Sequence, residues 1–109
     1  MIQVIEIEWS QTEKQIARQA FDKAYDREIR ALIKEVQQQA SQITELENLW
    51  LLHDFLSARR HEIDGKYDYR YSSLIFVFAL LIKEGWLLKE ALEGLNTDKR
   101  AKVAALSRM

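Results

Sequence analysis

The sequence predicts an all-α protein of about five helices, the first of them long. Its 109 residues include no proline and only three glycines, so the chain is poor in the residues that form tight turns. Apolar residues recur at intervals of three and four, which is the spacing of one face of an α-helix. Ser10 with Glu13, and Thr44 with Glu47, each have the form of a capping box, which marks the start of a helix. We therefore expect one helical domain over residues 1–109.

The first helix is predicted over about residues 11–40. Asp26 and Arg30 on its polar face have the spacing of an ion pair within a helix. A helix of this length extends about 45 Å, whereas a compact chain of this size is about 27 Å wide. We therefore expect a homodimer, in which a second copy helps to cover the apolar face. The residues of that face are Phe21, Tyr25, Ile29, Leu32 and Val36.

A second helix is predicted over about residues 44–62, ahead of the clearest turn signal in the sequence, Asp64 and Gly65. A third is predicted over about residues 68–84 and contains nine consecutive apolar residues, 74–82. A buried strand has the same apolar run, but the residues on either side extend this segment to the length of a helix. Because this helix is apolar on all sides, we expect it at the centre of the fold or between two subunits.

The rest of the chain predicts two short helices. The fourth lies between Trp86 and Leu95, after Gly85, which suits the position that ends the third helix. The fifth begins at Asn96 or Thr97, either of which can cap it.

Composition and charge exclude several classes of protein. The chain has no cysteine, which excludes disulfide scaffolds, zinc knuckles, iron–sulfur sites and thiol nucleophiles. Its formal net charge of −1 argues against broad electrostatic capture of nucleic acid or anionic lipid. The longest apolar run is about half a membrane span, and the N-terminus lacks the features of a secretory signal. We expect a cytoplasmic protein without an integral membrane segment.

Motifs for catalysis or metal binding are weak. No phosphate loop, dinucleotide fingerprint or nucleophile elbow is present in the sequence. His53 and His61 would lie about 12 Å apart on one helix, which is too far to share a metal ion. The basic run at Arg59 and Arg60 is surrounded by acidic residues, so we do not expect it to bind nucleic acid. We expect no enzymatic activity, no cofactor and no metal site.

One cluster on the second helix has the composition of a protein-binding surface. Spacings of three and four place Trp50, His53, Asp54, Ser57 and Arg60 along one side of that helix. A tryptophan beside a carboxylate and a guanidinium is typical of a binding hot spot. Composition alone favours the simpler interpretation, in which Trp50 belongs to the core and the two charges are ordinary surface charges.

Two further groups have a simple structural explanation. Packing in the core or in a dimer seam accounts for Phe76 and Phe78. A solvated helix face accounts for Lys99, Arg100 and Lys102, the one local excess of positive charge. Docking onto an acidic partner is the alternative for that positive segment.

A resemblance to a known family changes this balance. Residues 50–68, WLLHDFLSARRHEIDGKYD, followed by IFVFA at 75–79 and KEG at 83–85, resemble the fluorescence recovery proteins of cyanobacteria. The similarity extends over almost the whole chain. The sequence departs from the family pattern at four positions, Arg59, Tyr69, Tyr71 and Trp86.

The resemblance implies a non-enzymatic regulator of photoprotection that is an all-α homodimer. Proteins of this family bind the orange carotenoid protein in its light-activated red form, mainly through its C-terminal domain. They speed its return to the orange form and help to release it from the phycobilisome, which ends fluorescence quenching. The partner-binding residues implied here are Trp50, His53, Asp54 and Arg60, with a second contact region at Phe76 and Lys102.

The same resemblance implies a division of labour along the chain. Residues of about 11–62 would form the body for dimerisation and binding, and residues of about 68–109 a helical head. Peripheral attachment to the cytoplasmic face of the thylakoid membrane is left open. Two other functions also stay open: a generic helical adaptor or assembly factor for another cytosolic protein, and a small regulator that binds DNA or RNA in a salt-dependent way.

Overall fold

The structure, a computed structural model, describes residues 8–109. This part of the chain contains four α-helices and one turn of 3₁₀-helix and has no β-strand. The prediction of an all-α fold is confirmed. The elements are α1 (Gln11–Ser41), α2 (Leu46–Lys66), α3 (Leu74–Lys83), the 3₁₀ turn (Lys89–Leu92) and α4 (Thr97–Ser107).

The predicted start of α1 is confirmed in detail. The Ser10 hydroxyl accepts a hydrogen bond from the backbone N–H of Glu13 at 3.1 Å, and the Glu13 carboxylate accepts one from the Ser10 N–H at 3.0 Å. Together they form a complete capping box. The predicted pair of Asp26 and Arg30 also forms, at 2.9 Å on an exposed face.

The hydrophobic core lies between the N-terminal half of α1 and the last two helices. Ala17, Ala20 and Ala24 on α1 are almost fully buried, and their small side chains let the head pack closely. The core also contains Trp9, Phe21, Leu74, Val77, Phe78, Leu81, Leu87, Leu92, Leu95 and Val103. Most of α3 is buried, as its apolar sequence predicts, but Phe76 and Leu80 are 65% and 39% exposed.

The predicted boundary between α2 and α3 is wrong at both ends. Asp64 and Gly65 do not form a turn, because α2 continues to Lys66 and buries Ile63 and Lys66 in its last turn. The third helix begins at Leu74 rather than near residue 68.

Aromatic packing explains the late start of α3. The rings of Tyr67 and Tyr69 both pack edge-on against Phe21, with ring centroids 5.4 and 4.9 Å away. Tyr71 packs against Trp9 at 5.8 Å. These contacts hold the segment before α3 along α1 in a non-helical conformation.

Asparagine side chains cap the starts of α2 and α4. The start of α2 is capped by Asn48 and not by the predicted capping box of Thr44 and Glu47. The Asn48 side-chain oxygen accepts hydrogen bonds from the backbone N–H groups of Thr44 at 3.3 Å and Glu45 at 3.1 Å. The predicted fourth helix is a single 3₁₀ turn. Asn96 caps α4 as predicted, accepting from the Lys99 N–H at 2.8 Å.

The C-terminal half of α1 and most of α2 contain few buried residues. All buried residues of α1 lie between Glu13 and Glu28, and those of α2 lie in its last turn. The described chain measures 58 × 33 × 24 Å, which is elongated for its length. Large apolar side chains therefore stay exposed on the outer parts of α1 and α2, namely Ile33, Leu46, Leu49, Leu51 and Leu56. None of the helices in the described range is both long enough and apolar enough to cross a membrane.

A buried ion pair fastens α4 to the start of α1. Lys99, expected on a solvated face, is only 3% exposed, so that expectation is wrong for this residue. Its ammonium donates to both oxygens of Glu13, at 3.0 and 3.1 Å. The backbone N–H of Asn96 donates to the same carboxylate at 2.9 Å. Burial alone would raise the pKa of Glu13, but hydrogen bonds from Ser10, Asn96 and Lys99 lower it to about 2.

This ion pair predicts a loss of stability in acid. Because the pKa of Glu13 falls from the usual 4.5 to about 2 on folding, its ionised form stabilises the native state above pH 4.5. That contribution, about 3 kcal/mol, is lost as the pH falls from 4.5 towards 2. Urea unfolding across this range measures it. The Glu13→Gln variant is the control, and an equally steep acid dependence in that variant would contradict the assignment.

Candidate protein-binding surface

Trp50 lies in solvent on the outer side of α2. Its side chain is 56% exposed, so the interpretation that places it in the core is wrong. The indole packs edge-on against the ring of His53, with ring centroids 6.2 Å apart. An exposed tryptophan held by a neighbouring ring is a rigid apolar anchor that loses little conformational entropy on binding.

Charged side chains of both signs lie on the same side of α2 as this anchor. His53 Nδ1 lies 3.4 Å from the Asp54 carboxylate, and both side chains are largely exposed. Arg60 lies 3.7 Å from Asp64, one turn further along α2, and is 86% exposed. Exposed pairs with such long separations contribute little stability. A partner can therefore replace them at small cost.

The helix places these groups in one row. Trp50, His53, Asp54, Ser57 and Arg60, called the Trp50 surface below, are all exposed and follow one side of α2. The row extends about 15 Å along the helix axis. On the opposite side of the helix, Leu52 and Phe55 are half-buried and Ile63 is buried. The row thus includes all four of the partner-binding residues predicted on α2, which are Trp50, His53, Asp54 and Arg60.

The two predicted head residues lie on helices that pack against each other. Phe76 on α3 is exposed, so its interpretation as a core residue is wrong, whereas Phe78 is fully buried as expected. Phe76 lines an apolar groove of about 260 Å³ together with Leu80 and Leu106. Lys102 is exposed on α4 and does not line that groove.

The end of α2 contains a buried polar cluster that the motifs of the sequence do not predict. Glu28 is fully buried and meets Arg59, Lys66 and Tyr67. A signal for it exists: Glu28 follows Phe21 and Ala24 on the apolar face of α1, where a carboxylate requires a buried partner.

The ammonium group of Lys66 balances the negative charge of the carboxylates in this cluster. Oxygens of Glu28, Glu62 and Glu84 lie within 4.8 Å of one another. The ammonium of Lys66 lies 2.7 Å from both Glu28 and Glu84 and supplies the positive charge that a metal ion would otherwise bring. Burial would lower the pKa of Lys66, but its hydrogen bonds to these two carboxylates raise it. Burial and the bond to Glu28 raise the pKa of Tyr67, so its phenol stays a donor.

Comparison with known proteins connects this architecture to one family. Residues 9–107 match the family model described as photoprotection regulator fluorescence recovery protein. The fluorescence recovery protein of Synechocystis sp. (strain PCC 6803) is 57% identical over 109 residues, which cover all of both chains.

Two solved structures show the same fold. The fluorescence recovery protein of Fremyella diplosiphon is 61% identical and superposes with a TM-score of 0.91, covering 94% of this chain and 100% of that one. The R60K mutant of the Synechocystis sp. PCC 6803 protein is 57% identical, with the same TM-score and the same coverage.

Proposed function

Because this chain belongs to the family of the photoprotection regulator fluorescence recovery protein, we propose that it acts on the orange carotenoid protein. It binds the C-terminal domain of the light-activated red form, accelerates the return to the orange form and promotes detachment from the phycobilisome. Non-photochemical quenching then ends. The action is non-enzymatic and takes place in the cytoplasm.

The exposure of Trp50 is the observation that carries this proposal. A large aromatic side chain in solvent, in one row with a carboxylate and a guanidinium, is the composition of a protein-binding hot spot. In this proposal Trp50 is the apolar anchor, and Asp54 and Arg60 each meet a polar group of the partner. His53 packs edge-on against the indole and offers the partner a hydrogen bond.

To accelerate the red-to-orange return, the chain must bind some states of its partner more tightly than others. A ligand that bound only the red form would stabilise that form and slow its decay. The chain must therefore bind the transition state for domain closure more tightly than it binds the red form. It must also bind the orange product weakly, so that it is released and acts again.

Two contact regions on one rigid molecule satisfy these constraints. The Trp50 surface holds the C-terminal domain, while Phe76 and Lys102 on the head orient the rest of the partner. Holding one domain and orienting the other reduces the entropy lost when the two domains dock again.

The active molecule is proposed to be a homodimer. The large apolar side chains that are exposed on the outer parts of α1 and α2 support this, because a second copy can cover them in an interface. The body, residues of about 11–62, then provides both the dimer interface and the Trp50 surface, and residues of about 68–109 form the head.

The dark decay of the red orange carotenoid protein tests the proposal. Visible absorption is followed after illumination, with this protein added at less than one copy per carotenoid protein. We expect a faster return to the orange form, with each copy acting more than once. Binding without acceleration would instead indicate a helical adaptor, and no effect with no binding would refute the proposed partner.

A further inference from the structure

One buried carboxylate joins the end of α2 to α1. The side chain of Glu28 is fully buried. The Lys66 ammonium lies 2.7 Å from its Oε1, and the Tyr67 hydroxyl donates to the same oxygen at 2.7 Å. Arg59 Nη2 donates to Oε2 at 3.3 Å. The Glu28 carboxylate on α1 is therefore contacted by three side chains: Arg59 and Lys66 of α2, and Tyr67 directly after it.

Lys66 extends this connection to the head. Its ammonium is almost fully buried and also donates to Glu84, directly after α3, at 2.7 Å. Beside Glu28 on α1, Arg27 donates to the backbone carbonyl of Trp86 at 3.1 Å. The same turn of α1 thus fixes the end of α2 and the end of α3. We call these contacts the Glu28 junction.

Within one chain, α2 is joined to α1 by residues 42–45 at its start and by the Glu28 junction at its end. Its only buried residues among those described are Ile63 and Lys66, both in its last turn. Trp50 lies 16 residues before Lys66, which is about 24 Å along the helix. A rotation of about 10° at the junction would therefore move the indole by about 4 Å, more than a hydrogen-bond length.

The geometry points to Glu28 as a positioning residue: we propose that it holds α2 at the angle to the head at which the Trp50 surface and the Phe76 region meet one partner together. The inference rests on the proposed function. Two contacts made by one molecule reinforce each other only when their spacing matches the partner. Compared with apolar residues of similar volume, a buried ion pair adds little net stability, but removal of one member leaves an uncompensated charge. Its effect here is to fix geometry.

Pulsed electron paramagnetic resonance tests the junction directly. Because the chain has no cysteine, spin labels can be placed at cysteines substituted for Ala58 on α2 and Ala105 on α4, both of which are exposed. Labelled protein is mixed with excess unlabelled protein, so that each distance is measured within one protomer. We expect a narrow distance distribution for the parent chain and a distribution at least twice as broad for Glu28→Gln.

Glu62→Gln is the matched control. Glu62 lies beside the same Arg59, at 3.2 Å, but is exposed and bonds to neither Lys66 nor the head. We expect the distribution of this variant to stay narrow. If Glu28→Gln fails to fold, Glu84→Gln breaks the head side of the junction at a partly exposed residue, and should broaden the same distribution.

The recovery assay completes the test. We expect Glu28→Gln to reduce the acceleration of red-to-orange recovery about tenfold, while Glu62→Gln retains it. An unchanged distance distribution, or unchanged acceleration by a variant whose distribution is broad, would overturn the positioning role. Failure of the parent chain to accelerate recovery would refute the proposed function instead, and the distance distributions would still decide whether Glu28 fixes the angle of α2.

Discussion

Replacement of Trp50 by alanine is expected to return the recovery of the red orange carotenoid protein to its spontaneous rate. Truncation of a central aromatic hot spot costs about 2–4 kcal/mol of binding free energy. That cost weakens binding by about 30- to 1,000-fold, so a substoichiometric amount of the variant has almost no effect. Because Trp50 is exposed, its loss should change the free energy of unfolding by less than about 0.5 kcal/mol.

The matched control is Leu88→Ala. Leu88 is exposed to a similar extent, 61% against 56% for Trp50, but lies near the 3₁₀ turn of the head. We expect this variant to accelerate recovery normally, which would show that the effect is specific to α2. Normal acceleration by Trp50→Ala would contradict the proposed anchor, and a loss of helicity in that variant would place Trp50 in the core of the protein as it exists in solution.

The starts of α1 and α4 could be predicted because short-range hydrogen bonds decide them. Ser10 and Glu13 satisfy each other's backbone donors within four residues, so the sequence contains the whole cause of that helix start. Asn96 begins α4 in the same local way. At the start of α2, Asn48 takes a role assigned to other residues, because several side chains there have suitable oxygens.

The end of α2 could not be predicted from local signals. Gly65 favours a turn, at a cost to a helix of about 1 kcal/mol relative to alanine. That cost is outweighed because the helix must continue past Gly65 to bring Lys66 into contact with Glu28 on α1. The bond from Lys66 to Glu28 spans 38 residues of sequence, and no window of helical length contains both partners.

Ion pairs between residues far apart in the sequence could not be predicted from local signals either. Lys99 belongs to a basic run that resembles a solvated face, yet its partner Glu13 lies 86 residues earlier in the chain. By contrast, the spacing that places the Trp50 surface on one side of α2 depends on the helical period alone, and could be predicted. The helical period does not show whether that side faces the core or solvent, because this depends on which parts of α2 the rest of the chain covers. Composition alone therefore favours a buried Trp50, whereas the structure exposes it.

Substitution of Ile33 by glutamate is expected to separate the proposed homodimer into protomers. Ile33 is 51% exposed on the outer part of α1, so a single chain tolerates a charge there. In a symmetric dimer the substitution occurs twice and introduces two uncompensated carboxylates into the interface. We expect a cost of about 3 kcal/mol or more, which raises the dimer Kd at least about a hundredfold.

Light scattering after size-exclusion chromatography measures the result, since one chain has a mass of 12.9 kDa and the dimer twice that. Ala31→Glu is the matched control: it adds the same charge to an exposed position two residues away, on another side of α1. A dimeric Ile33→Glu variant would exclude this face from the interface. A monomeric Ile33→Glu variant that still accelerates recovery would show that one protomer carries both contact regions, because the Trp50 surface and the head then act from a single chain.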